Sequence, residues 1–249
     1  MRNVILSKAR VLLAALLLGP AAAPAMAQGF TPEQRTEIVE VVRAALKTDP
    51  SILRDAIASL QEEESRVQQA AARTAIGSLD EALTRAPGDP ADGNPKGDVS
   101  VVEFFDVRCP YCRRMLPVMA ELLRRDHNLR VVYKDIPILG PASLLGAKAL
   151  LAAQLQGGYL ALKDAVMSGP ADITQETLRA AAAKTGLDWD RLQKDMAAPS
   201  VQQRIDTNLG LARKLDIQGT PAYVIGDRLL PGAISLADLQ EAVAEARKK

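Results

Sequence analysis

The sequence predicts an α/β fold in which a strand–helix–strand unit carries a long helical insertion and a closing hairpin, preceded by an α-helical arm. Three observations predict it. Two short runs rich in β-branched and aromatic residues, 99–105 and 129–136, flank a helical pattern. Further helical stretches fill 143–215 before two more short strand-like runs. Residues 31–85 read as helix and are set apart by a Pro/Gly-rich break.

The first residues belong to a separate signal. Arg2, Lys8 and Arg10 make a positive start, and an apolar run covers 11–18. Gly19 and Pro20 break that run, and Ala25-Met26-Ala27 supplies small residues at cleavage spacing. This is the pattern of a secretory signal peptide over residues 1–27, cut after Ala27. The run is too short for a bilayer, which takes about 20 apolar residues. No later segment is apolar enough to span, so an exported, soluble protein is expected, periplasmic in a bacterium. Lys plus Arg is 31 against 30 Asp plus Glu, so no net field favours nucleic acid.

Residues 28–86 are expected to form a helical arm. Thr31 caps a helix with Pro32 at its first position, and Asp49-Pro50 repeats the signal. Ile38, Val39, Val41, Val42, Ala45 and Leu46 recur at helical spacing, as do Ile52, Leu53, Ala56, Ile57 and Leu60. Stripes this apolar must be covered, either by the main domain or by another subunit. The second is favoured because residues 87–97, with Gly88, Pro90, Gly93, Asn94 and Pro95, read as a linker. The main domain is then 98–249.

Within it, strand 99–105 leads into a helix at 109–125, and strand 129–136 follows, so the two strands should be parallel. Gly157-Gly158, Gly169-Pro170, Gly186 and Pro199 divide the helical insertion of about 143–215. Residues 222–225 and 228–230 flank a Gly226-Asp227 turn and read as a hairpin. Ser235 caps a last helix.

The chemistry concentrates in Cys109-Pro110-Tyr111-Cys112, which holds both cysteines of the chain. Two cysteines this close cannot staple distant segments, and a loop this short constrains little chain entropy. A structural zinc site needs four ligands, and the only histidine is His127, read as a solvated residue at a helix end. Thiol–disulfide exchange fits better. Cys109 follows a strand and opens a helix, where unpaired N–H groups and the helix dipole favour a thiolate. Pro110 suits the first helical turn because it has no N–H to leave unpaired. Cys112, three residues on, can reach back and resolve a mixed disulfide. Arg108, Arg113 and Arg114 add positive charge. Cu(I), which prefers soft sulfur ligands, is a possible occupant of the same two thiolates, though no Met-rich or His-rich tract supports it.

Val102-Glu103-Phe104-Phe105-Asp106, Cys109-Pro110-Tyr111-Cys112 and Gly219-Thr220-Pro221-Ala222 together resemble the DsbA-like branch of the thioredoxin superfamily. The resemblance covers about 98–249 and implies a thioredoxin fold with a helical insertion. It implies Cys109 as nucleophile, Cys112 as resolving thiol, and Pro221, after Thr220, as a cis-proline facing them. Read alone, Thr220-Pro221 is an ordinary turn. Glu103 matches an acidic residue buried behind the cysteines in this family, although taken alone it suits an outward strand position equally. A carboxyl there can take the Cys112 proton.

Tyr111 departs from the archetypal oxidant, which has histidine there, and implies a less oxidising site. With the helical arm, this is similar to the ScsC-type proteins (suppressor of copper sensitivity) and to isomerases of the DsbC and DsbG kind. The resemblance therefore implies an oligomeric disulfide isomerase or reductase acting on exported proteins. A membrane partner of the DsbD or ScsB type would keep it reduced, and no cofactor is needed. The alternatives are a monomeric DsbA-type dithiol oxidase with a DsbB-type partner, and a Cu(I)-binding copper-tolerance protein.

Overall fold

A computed structural model describes residues 30–248, so the expected signal peptide over 1–27 lies outside the described residues. The described chain falls into two compact units, 30–59 and 60–248. In the first, α1 (Pro32–Thr48) is opened by Thr31 and Gln34 in a reciprocal capping box, with Pro32 in its first turn. None of its residues is buried, and Ile38, Val39, Val41, Val42 and Leu46 are exposed. Asp49 Oδ1 accepts from Ser51 N at 3.0 Å where α2 (Ser51–Thr84) begins.

The second unit is built on a five-stranded sheet. Its strands are β1 (Ala91–Gly93), β2 (Val99–Phe105), β3 (Leu129–Asp135), β4 (Ala222–Ile225) and β5 (Arg228–Pro231). Their order is β1-β3-β2-β4-β5, with β2 and β3 parallel and every other pair antiparallel. The helix α3 (Pro110–Arg125) joins the parallel pair, as the strand–helix–strand pattern requires. The helical insertion comprises α4 (Pro141–Gln154), α5 (Tyr159–Met167), α6 (Gln175–Lys184), α7 (Trp189–Met196) and α8 (Pro199–Lys214), and α9 (Leu236–Ala246) ends the chain.

Both faces of the sheet are covered, which is why β2 and β3 read as continuous apolar runs rather than alternating ones. Val101, Phe105, Val131 and Tyr223 point into one core with Met115, Met119 and Leu122 of α3 and Leu239 of α9. Val102, Phe104, Val132 and Val224 point into the other, with Leu211 of α8 and Ala72, Ile76 and Leu83 of α2.

Two boundaries therefore differ from the sequence reading. The arm does not extend as a separate piece to residue 86, because the later turns of α2 form a wall of the second core. Residues 87–97 are not a linker, because Ala91 and Gly93 pair with Val132 and Arg130 as the edge strand β1. The glycines there serve close approach rather than flexibility. A Cβ on Gly93, at φ +79°, would sit 2.6 Å from the Leu129 carbonyl oxygen. Asp89 is buried in the same segment, paired with Lys134 and, at 2.7 Å, with Arg204.

Candidate active site

Cys109 is the N-cap residue of α3, with extended backbone angles of φ −63° and ψ 121°. Its N–H donates to Asp106 O at 2.9 Å, and its carbonyl accepts from Arg113 N at 3.1 Å. Pro110 takes the first helical turn, and Cys112 follows nearly one turn on. Both cysteines are free and buried. The Cys109 thiol donates to the carbonyl oxygen of Thr220 at 3.2 Å. The Thr220–Pro221 peptide is cis. Residues 109–112 and 219–222, more than a hundred positions apart, thus meet at one end of the sheet.

Glu103 points to the cysteine side of the sheet, not outward, and is buried. It occupies β2 in step with Val101 and Phe105, whose side chains enter the core that holds both cysteines. Its Oε1 accepts from the Tyr223 hydroxyl at 3.2 Å. Burial pushes its carboxyl up to about 7, against the opposing pull of the Lys163 charge and the Tyr223 hydrogen bond. Burial also pushes the Cys112 thiol far up, a hydrogen bond with the Asp106 backbone opposing, and the charges of Cys109 and Glu103 add to the rise. A thiol this reluctant to ionise needs an acceptor for its proton, and a carboxyl titrating near neutrality suits that task.

Tyr111 is exposed beside the cysteines, and the Arg114 guanidinium lies 4.4 Å from the centre of its ring. The other two arginines expected to surround the thiolate are held by backbone carbonyls instead, Arg108 by the loop after β3 and Arg113 by the insertion. Arg108 Nη1 donates to Leu139 O at 2.8 Å. Arg113 Nη1 donates to Met167 O and Gly169 O, and its Nη2 to Pro170 O. Those carbonyls lie at and just beyond the end of α5, where a cation is well placed. His127 is exposed just past α3, as expected.

Asp106, in the sequence simply the last residue of the motif, organises the loop before Cys109. Its Oδ1 accepts from Arg108 N, and its Oδ2 from Ile138 N and Leu139 N at 2.9 and 3.0 Å. A second carboxyl, Asp135, also escaped the sequence reading. Burial pushes it up to about 7, and the Tyr159 hydroxyl donates to its Oδ2 at 2.8 Å. The available signal was parity, since Asp135 shares its face of β3 with Tyr133 and Val131. Among the described residues, no group of three or more His, Cys, Asp or Glu is arranged to hold a metal ion. No described helix is long and apolar enough to cross a membrane.

The DSBA-like thioredoxin domain family matches residues 100–244. The chain belongs to that family. It is 44% identical to a thioredoxin-like oxidoreductase from Silicibacter pomeroyi, covering 68% of this chain and 98% of that one at a TM-score of 0.66. It is 28% identical to a linker-deleted variant of Proteus mirabilis ScsC, covering 90% and 99%, at a TM-score of 0.67. Among curated proteins it is 29% identical over 160 residues to a Na(+)/H(+) antiporter NhaA of Salinispora arenicola. That match takes in 64% of this chain, and the chain spans only about a quarter of that relative's length. DsbA-like proteins of this kind are thiol–disulfide oxidoreductases, and the fold is the thioredoxin fold with a helical insertion.

Proposed function

We propose that the protein is an exported, periplasmic disulfide isomerase or reductase acting on exported proteins through Cys109 and Cys112. The observation that carries this reading is the Cys109 thiol at the start of α3, 3.2 Å from Thr220 O. Cys109 attacks a client disulfide, and Cys112 resolves the mixed disulfide with Glu103 as proton acceptor. A groove of about 440 Å³ lined by Gln68, Ala72, Ile217 and Leu229 also reaches Thr220 and Pro221, where an extended client chain can lie. Tyr111 in place of a cationic residue favours a less oxidising site. The exposed apolar stripe of α1 suits contact with a second copy. A membrane partner of the DsbD or ScsB type would return the cysteines to the thiol form. Refolding of scrambled ribonuclease is the test. The full chain is expected to restore activity, and removing residues 30–59 is expected to lower both that activity and the mass in solution. No restored activity would sink the reading.

A second reading, a DsbA-type dithiol oxidase recycled by a DsbB-type partner, is favoured by one observation. Ile76 and Leu83 of α2 are buried on the chain's own sheet rather than left for a partner. The trapped redox state in cells separates the two, since mostly reduced Cys109 supports the isomerase and mostly oxidised Cys109 the oxidase.

A further inference from the structure

Three arginines border the reactive pair, and two of them are already engaged. Arg108 and Arg113 hold backbone carbonyls of Leu139, Met167, Gly169 and Pro170. Arg114 differs. It is exposed, and its side chain makes no hydrogen bond or ion pair with any described residue. Its guanidinium lies over the Tyr111 ring, 4.4 Å from the ring centre. Tyr111 stands between the two cysteines and is 53% exposed.

The helix explains this placement. Positions three apart share a face of α3, so Arg114 meets Tyr111. Helical side chains lean toward the N-terminus, which carries the guanidinium back toward Cys109. The other neighbours at this spacing, Pro110, Pro117 and Val118, offer no charge. The one carboxylate of α3, Glu121, is about two turns further on and is held by Arg124 and Arg125. Glu103 and Asp106, before the helix, are buried. The Asp106 oxygens already accept from the N–H groups of Arg108, Ile138 and Leu139. A planar cation stacked on an aromatic face keeps its N–H edge free, and that edge matches a carboxylate through two parallel hydrogen bonds. The stack also fixes in advance a side chain that would otherwise lose freedom on binding. The start of α3 adds the positive end of its dipole at the same place.

We propose that Arg114, stacked on Tyr111, is a specificity-determining residue: it pairs with a carboxylate of the client chain close to the client cysteine, so that acidic clients exchange faster. This rests on the thiol-exchange reading above. The guanidinium sits about one helical turn, about 5 Å, beyond Cys109. An extended client advances about 3.3 Å per residue, which puts the matching Asp or Glu roughly two residues from its cysteine. In the exchange step the Cys109 thiolate attacks the client sulfur and the Cys109–client bond forms. The client disulfide breaks, and its electron pair leaves on the other sulfur. Arg114 takes no part in that chemistry; it holds the client beside it.

The test uses short synthetic peptides with a single cysteine, joined as a disulfide to neutral 2-thiopyridine. They carry aspartate, asparagine or lysine roughly two residues from the cysteine, on either side. Attack by Cys109 on the peptide sulfur releases 2-thiopyridone, which is followed by absorbance. Rates are divided by those with dithiothreitol, which cancels each peptide's own reactivity. The reduced full chain is expected to react about two- to fivefold faster with an aspartate peptide than with its asparagine counterpart, the range for an exposed charge pair, and slowest with the lysine peptide. The preference is expected to vanish in Arg114→Gln and to reverse toward lysine in Arg114→Glu. Added salt is expected to shrink it in the unmodified protein. Equal rates with the unmodified protein, or an aspartate preference that survives in Arg114→Gln, overturn the proposal. So does a fall that is equal for all peptides in Arg114→Gln, which would mean that Arg114 acts on Cys109 rather than on the client. If the unmodified protein releases no 2-thiopyridone from any peptide, the exchange reading itself fails, a result distinct from equal rates.

Discussion

Cys109 Sγ and the Thr220 carbonyl oxygen lie 3.2 Å apart across a sequence separation of 111 residues. That contact gives the two cysteines different surroundings. Cys109 meets a backbone carbonyl at a helix N-cap, whereas Cys112, nearly one turn on, is buried and feels the charge of Glu103. A site with one sulfur for attack and another for resolution is what exchange requires.

The first prediction follows from that asymmetry. Cys112→Ser is expected to accumulate a stable mixed disulfide with glutathione through Cys109, because the resolving thiol is gone. Cys109→Ser is expected to accumulate far less, because burial suppresses the Cys112 thiolate. Mass spectrometry of acid-quenched samples checks both. Equal adducts in the two variants would mean that the roles are not divided this way.

Much of this site was legible in the sequence because its parts are local. The strand β2, the Cys109 cap with Pro110, and the Thr220-Pro221 pair before β4 each announce themselves within a few residues. Glu103 is ambiguous in the sequence, since one residue cannot show which face of a strand is covered. Asp135, Tyr159 and Lys163 were missed for a different reason. Charged residues in helices and at strand ends usually face water, and only tertiary packing makes these three converge. β1 has three residues, Ala-Asp-Gly, with no apolar alternation. Its place is set by contacts such as Asn94 N on Leu129 O at 2.7 Å, which a local pattern cannot show.

The second prediction concerns pH and stability. The Glu103 carboxyl titrates at about 7 in the fold, raised from an ordinary 4.5. The folded state therefore binds more protons than the unfolded one between those values, and stability falls as pH rises through that window. The favourable contribution is full below about 4.5 and gone above about 7. Glu103→Gln removes this loss. It is expected to stabilise the protein by about 1–3 kcal/mol at pH 8 and to have little effect at pH 4. Urea unfolding at the two pH values measures the difference, and an equal shift at both would rule out a titrating Glu103.

The third prediction tests the revised boundary. Leu83 is fully buried on the α2 side of the sheet. Leu83→Ala is expected to cost about 2–5 kcal/mol, the range for emptying a packed leucine site. Deleting residues 30–59 is expected to leave the second unit's cooperative unfolding intact. Deleting 30–97 removes α2 and β1 and exposes Val102, Phe104 and Val132, and is expected to abolish it. If the shorter protein melts like the longer one, α2 and β1 are dispensable to the sheet.

The last prediction turns on Asp89. Its carboxylate pairs with Lys134, and each side chain is 1% exposed. Lys134 Nζ also donates to Ala82 O at 2.7 Å, so one buried cation ties β3 to both α2 and the segment before β1. Asp89→Ala leaves that ammonium without its counter-charge and is expected to cost about 3–5 kcal/mol, the range for breaking a buried pair from one side. Burial already lowers the proton affinity of Lys134, and losing Asp89 lowers it further. The unfolded chain then binds more protons than the folded one, so the variant's deficit should shrink as pH rises toward the ordinary lysine range. Asp89→Ala combined with Lys134→Met removes both charges and is expected to recover much of the loss, while Arg204, partly exposed, turns its guanidinium to water. Thermal unfolding of the single and double variants across pH 7 to 10 would show the pattern. A deficit independent of pH and unrelieved in the double variant would mean that Asp89 acts through its backbone rather than through its charge.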